Sequence, residues 1–162
     1  MRKLKKRTKR PKMIWDRDKI EAEKKILREY GLRRKREIWK AESILREYRR
    51  RARILAAKKD KEGEKVLIEK LNKVGLIKKN AELDDVLSLT LEDILQRRLQ
   101  TIVFKKELAN TPKQARQFIV HGHIAVEGKR CKYPSRLIEK DTESKIGYYG
   151  KAPAKTTKKS GK

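Results

Sequence analysis

The chain has 162 residues, with 48 Lys plus Arg against 22 Asp plus Glu, for a formal net charge of +26. A compact chain so charged repels itself, and nucleic acid is the readiest counter-charge, because each neutralised phosphate releases a condensed counterion. The single cysteine, Cys131, excludes a disulfide framework and a thiolate zinc site, and the absence of a long apolar run or signal-like start points to an intracellular chain.

Residues 1–12 hold eight cations and no acid, the pattern of a disordered basic arm that orders on a polyanion. Pro11, Met13, Ile14 and Trp15 are expected to anchor it to the folded part. Asp16 or Asp18 then caps a helix with Ile20, Leu27 and Tyr30 on one face, and Gly31 ends it. The next helix is predicted from about Arg34 to Lys59, with Ile38, Ala41, Leu45, Tyr48, Ala52 and Leu55 at heptad-like spacing. That seam is too short for a coiled coil and predicts helix packing within the chain. Its remaining faces crowd Arg34, Arg36, Lys40, Arg46, Arg49, Arg50 and Arg53 beyond what Glu37, Glu42 and Glu47 offset. That is a candidate phosphate-binding surface. Lys58–Glu64 reads as a polar connection around Gly63. A third helix follows, with Leu67, Leu71 and Val74 inward and Gly75 as its cap. Leu83, Val86 and Leu87 suggest a further short helical turn. Residues 13–87 therefore read as an all-helical domain.

The segment 88–150 carries the densest signals. Thr90 and Asp93 form a capping box, and Leu91, Ile94, Leu95, Leu99, Ile102 and Val103 then share one helical face. Thr111 caps a second helix with Pro112 at its first position and Gln114 completing the box. Ala115, Phe118 and Ile119 form its buried stripe, and Gly122 its left-handed end. Arg97, Arg98, Gln100, Thr101, Lys105, Lys113, Arg116 and Gln117 are left facing out, a surface of donors suited to phosphates and 2′-hydroxyls. After Gly122 the period changes to two: Ile124 and Val126 form a strand, Glu127-Gly128 a tight turn, and Lys129–Lys132 the return strand. Tyr133-Pro134-Ser135 breaks it. Leu137-Ile138 is extended, Lys140-Asp141 turns, and Lys145–Tyr149 is a last strand. Residues 151–162 read as an unstructured basic tail. With 6% aromatic residues, each half has a small core and gains full order on a partner.

Arg97-Arg98-Leu99-Gln100-Thr101, Thr111, Gln114-Ala115-Arg116-Gln117, Ile119-Val120-His121-Gly122-His123-Ile124, Val126 and Gly128 resemble an S4 RNA-binding module. Tyr30-Gly31-Leu32-Arg33, Lys35-Arg36-Glu37-Ile38-Trp39-Lys40-Ala41-Glu42 and Arg46-Glu47-Tyr48-Arg49-Arg50 resemble the N-terminal domain of ribosomal protein S4 of the archaeal/eukaryotic type. Lys145-Ile146-Gly147-Tyr148-Tyr149-Gly150 favours the archaeal branch. The resemblance spans Pro11 to Gly150 and departs at Cys131-Lys132-Tyr133. It implies an α+β fold: an all-helical N-terminal domain, then two helices packed on a small, bent, mostly antiparallel sheet, with disordered basic tails. It also implies a structural constituent of the small ribosomal subunit, a primary binder of 16S-type rRNA that nucleates 5′-domain assembly. Such a protein lies near the mRNA entry path beside protein S5, in the cytoplasm, as one copy and away from membranes. The resemblance carries Thr111, Gln114, His121 and His123 into the expected RNA-binding set.

Enzymatic readings find little support. His121 and His123 flank Gly122 without carboxylate or thiolate ligands nearby, too few to hold a metal. The glycines are scattered at turns rather than gathered in a phosphate loop. Asp84-Asp85 and Glu92-Asp93 suit helix N-termini. No catalytic residue, metal or cofactor is expected. A helix placed in a DNA major groove is the alternative for a cation-rich chain, but the Arg97-Arg98 pair on the first helix and the strand after Gly122 speak against it. An assembly factor carrying the same module, released before the subunit matures, is the other alternative.

Overall fold

A computed structural model describes residues 15–150 together with Thr8, Pro11 and Met13. The basic arm and the tail predicted over 1–12 and 151–162 lie essentially outside the described residues, as does Ile14. The chain builds α1 (Arg17–Glu29), α2 (Lys35–Lys58), α3 (Lys61–Val74), α4 (Leu83–Ser88), α5 (Leu91–Gln96), α6 (Leu99–Lys105), α7 (Pro112–His121), β1 (Ile124–Val126), β2 (Lys129–Arg130), α8 (Lys140–Glu143) and β3 (Ile146–Tyr148).

Asp16 starts α1 by accepting a hydrogen bond from the Lys19 amide at 3.4 Å. The predicted anchor does not form as expected: Trp15 is 87% exposed and Met13 77% exposed. The seam of α2 buries Ile38, Ala41, Leu45 and Ala52 and packs Tyr48 and Leu55 at its edges. It is covered by α1, α3, α4 and α5, so the heptad-like spacing serves packing within the chain. The polar connection predicted over Lys58–Glu64 is largely helix. Lys59 and Asp60 alone make the corner, and Asp60 caps α3 by accepting from the Gly63 amide at 3.1 Å. Glu62 and Glu64 complement the positive end of that helix. Gly63 sits in its first turn because a Cβ there would come 2.6 Å from Leu55 Cδ2.

A larger departure falls at Arg97-Arg98. Periodicity predicts one helix after Thr90, and the capping box forms as read, with Thr90 N donating to Asp93 Oδ2 at 2.8 Å. The helix then breaks, and Arg98 is extended at φ −74°, ψ 143°. The Leu99 amide donates to Arg136 O at 2.8 Å, Gln100 N to Pro134 O at 3.3 Å, and Ile138 N to Arg97 O at 3.0 Å. A distant segment thus satisfies backbone groups that a continuous helix would pair locally. Two apolar cores result. Ile94 and Leu95 close the first, around Ile38, Leu71 and Val86. Leu99, Ile102 and Val103 open the second, around Phe118, Ile119, Ile124 and Ile146.

The second core lies under a three-stranded antiparallel sheet of order β2-β1-β3. Ala125 pairs with Arg130 and Val126 with Lys129 on one side; Ile124 pairs with Tyr148 and Val126 with Ile146 on the other. Glu127 and Gly128 both take positive φ, 54° and 75°, the two-residue turn that suits strand twist. β1 is buried at every position, Ala125 included, so the period of two marks a strand without marking an exposed side. Where a simple turn was predicted at Lys140-Asp141, α8 forms.

Candidate nucleic-acid interface

The cations predicted to face out fall into two groups. One is held inside the fold. Arg98 is 4% exposed and Gln100 1% exposed, so neither belongs to an outer donor surface, and that expectation is corrected. The helix break turns both inward. Arg98 Nη2 donates to Glu37 Oε2 at 2.6 Å, and Arg116 Nη1 lies 3.0 Å from Glu37 Oε1. The Arg33 amide donates to the same carboxylate at 3.3 Å. Burial alone would raise the Glu37 pKa. The Arg116 hydrogen bond and the Arg116 and Arg98 charges outweigh it and hold Glu37 below its ordinary value. Arg98 has its pKa lowered by burial, against the pull of Glu37. The asymmetry is physical: Glu37 has two cations, whereas Arg98 shares one carboxylate with a second arginine. Arg98 still remains charged.

Gln100 holds the same junction. Its Nε2 donates to Tyr30 O at 3.1 Å, Gly31 O at 2.9 Å and Pro112 O at 2.9 Å. Three converging carbonyls need a donor, which fixes the amide's orientation. Gly31 is in the left-handed region at φ +59°, and a Cβ there would come 2.8 Å from Pro112 Cβ. The end of α1 and the start of α7 therefore touch backbone to backbone. Arg97 is likewise partly structural, with Nη1 donating to Glu143 Oε2 at 2.8 Å and Nη2 to Ile138 O at 3.0 Å. Thr101 Oγ1 donates to Leu95 O, Gln114 Oε1 accepts from the Asn110 amide, and Arg49 Nη2 donates to Leu89 O at 2.6 Å. These three are also spent inside the fold, and Gln114 reaches one residue further back than a capping box requires.

The second group faces solvent. Lys105, Thr111, Lys113, Gln117 and His121 are exposed on the module, and Arg34, Arg36, Lys40, Arg46, Arg50 and Arg53 on or beside α2. The Glu37 knot brings the Arg33-Arg34 and Lys113–Arg116 segments to the two sides of one seam. Arg46, Arg50 and Arg53 share one face further along α2, on the side of the helix away from Glu37, with Arg50 about 20 Å from it at the helical rise. His121 and His123 have ring centroids 6.3 Å apart. No group of three His, Cys, Asp or Glu able to hold a metal occurs among the described residues. His123 is half-buried and sits edge-on to Phe118, which is in the core. The reading from sequence missed Lys129, Lys132 and Arg136, all exposed. The signal was present: no acid stands between Glu127 and Glu139. No described helix is long and apolar enough to cross a membrane.

The S4 domain family matches residues 97–143, the stretch that begins where the helix breaks. A small ribosomal subunit protein uS4 from Methanococcus aeolicus is 51% identical over 156 residues, covering 94% of this chain and 88% of that protein. Small ribosomal subunit protein uS4 from Saccharolobus islandicus is 51% identical over 152 residues, 91% of this chain and 84% of its own length. That of Ignicoccus hospitalis is 47% identical over 156 residues, 94% of this chain and 93% of its own.

Proposed function

The chain belongs to the uS4 family of small ribosomal subunit proteins, archaeal type, and from that premise we propose that it is a structural, non-catalytic constituent of the small subunit that binds its rRNA across the seam between the two cores. The observation that carries the reading is the separation of its cations into two sets. Arg98, Arg116 and Glu37 tie the halves together, leaving Arg34, Lys40, Lys113 and Gln117 exposed on either side. A rigid basic surface matches the fixed spacing of phosphates in folded RNA. Arg46, Arg50 and Arg53, exposed on the side of α2 away from Glu37, add a second basic face further along the same helix.

As a finer proposal, it binds the 5′ domain early and nucleates its assembly. In the finished particle it lies near the mRNA entry path beside S5, in the cytoplasm, as a single copy. The two linked surfaces act by effective concentration, so the joined chain binds more tightly than its surfaces would separately. The test is binding of the full chain to small-subunit 5′-domain RNA and to duplex DNA of equal length, followed by co-sedimentation with mature small subunits after a high-salt wash. Preference for the RNA with retention in washed subunits is the expected result. Release on washing would instead mark an assembly factor, and equal binding to duplex DNA would remove the RNA reading.

A further inference from the structure

Between β2 and the bridge of Leu137 to Arg98 runs a loop that the module's core does not require as a surface. Its backbone is held at Cys131, Tyr133, Pro134 and Arg136. Cys131 is buried and its amide donates to Ile124 O at 3.0 Å. The Arg136 amide donates to Tyr133 O at 3.2 Å, closing a turn. Pro134 O and Arg136 O accept from the Gln100 and Leu99 amides at 3.3 and 2.8 Å. Pro134 also confines Tyr133 to extended backbone. This fixed frame puts Tyr133 into solvent at 73% exposure, and its hydroxyl has no hydrogen-bond partner among the described residues. An aromatic side chain so placed contributes nothing to the core.

Its neighbours are cations. Lys129, Lys132 and Arg136 are exposed, and none has a side-chain hydrogen bond or ion pair among the described residues. Arg130 differs: its guanidinium donates to Gly122 O and His121 O at 3.0 and 2.8 Å and serves the end of α7. The loop is also continuous with the seam. Gln100 anchors it through its backbone amide and anchors Gly31 and Pro112 through its side chain. We propose that Tyr133 is a stacking platform for one unpaired nucleobase of the bound RNA, with Lys132 and Arg136 on the phosphates flanking that base. This rests on the RNA reading above and adds a base contact to a surface otherwise built for phosphate. A ring carried on an anchored backbone suits stacking because only its side-chain torsions remain to be fixed on binding.

The experiment uses the full chain, Tyr133→Ala, Tyr133→Phe and the Lys132→Ala/Arg136→Ala double variant. Each is titrated with small-subunit 5′-domain RNA over a range of salt. Tyr133→Ala should weaken binding on the order of tenfold or more, with the melting temperature and the salt slope unchanged. Tyr133→Phe should bind as the parent does. The double variant should lower the salt slope by about two, one for each lost phosphate contact. Ultraviolet crosslinking of the parent complex should join Tyr133 to a single nucleotide. If Tyr133→Ala binds like the parent, the stacking proposal is wrong while the RNA reading stands. If Tyr133→Phe is as weak as Tyr133→Ala, the hydroxyl makes the contact and stacking is again overturned. If Tyr133→Ala binds RNA normally but is lost from washed subunits, the ring faces a protein neighbour instead. Failure of the parent itself to prefer this RNA would count against the RNA reading and not against the loop alone.

Discussion

Glu37 shows how one residue can decide what two arginines do. Its carboxylate neutralises Arg98 and Arg116 together, so the nearby cations that remain for RNA are those it does not reach. Glu37→Gln should destabilise the protein by about 3 kcal/mol, the low end for breaking a buried pair, because the carboxylate keeps some exposure. Its folded pKa is lowered, so the stabilisation is complete above the ordinary glutamate value and is lost as pH falls through the lower folded value. Urea unfolding at neutral pH and again below pH 4 should show that loss in the parent, and a smaller loss in Glu37→Gln. An identical pH response in both would place the acid sensitivity elsewhere. Phe118 is 7% exposed, in the second core. Phe118→Ala should cost roughly 3–5 kcal/mol, enough to unfold a small module, seen as a large fall in melting temperature. A variant that melts normally but loses RNA affinity would mean the ring serves the surface.

At the scale of elements, helix ends govern where the module's parts point. Gly122 closes α7 in the left-handed region at φ +78°, and a Cβ there would come 2.0 Å from Arg130 Nε. Gly122→Ala should therefore cost roughly 1–2 kcal/mol of backbone strain. It should also expel Arg130 from the terminal carbonyls of α7. Thermal melting of Gly122→Ala beside Arg130→Ala separates the two effects, and the glycine variant should be the less stable. Equal melting temperatures would show that the backbone accommodates the side chain. The Thr90 and Thr111 helix starts were legible because capping depends on residues within one turn. The break at Arg97-Arg98 was not, because it is imposed by hydrogen bonds from Leu99 and Gln100 to Arg136 and Pro134, and no local period reports a partner that distant.

For the whole molecule, the seam converts two small cores into one binding body. Gln100→Leu removes the amide that meets Tyr30, Gly31 and Pro112 without touching an exposed cation. It should lower RNA affinity while leaving the salt slope unchanged, since geometry is lost and phosphate contacts are not. Lys113→Ala or Arg50→Ala should do the reverse, lowering the slope by about one each with folding intact. A changed slope in Gln100→Leu would mean that the seam itself meets phosphate. The sequence by itself determined the basic character, the helical first half, the capped starts, the strand after Gly122 and the family resemblance, because charge, periodicity and caps act over a few residues. Only the tertiary structure decided which cations are free. Arg98 and Arg116 read like Lys113 along the chain, yet both are matched by Glu37, a residue from the other half. Ion pairing depends on distance in space, and the fold alone brings that carboxylate to them.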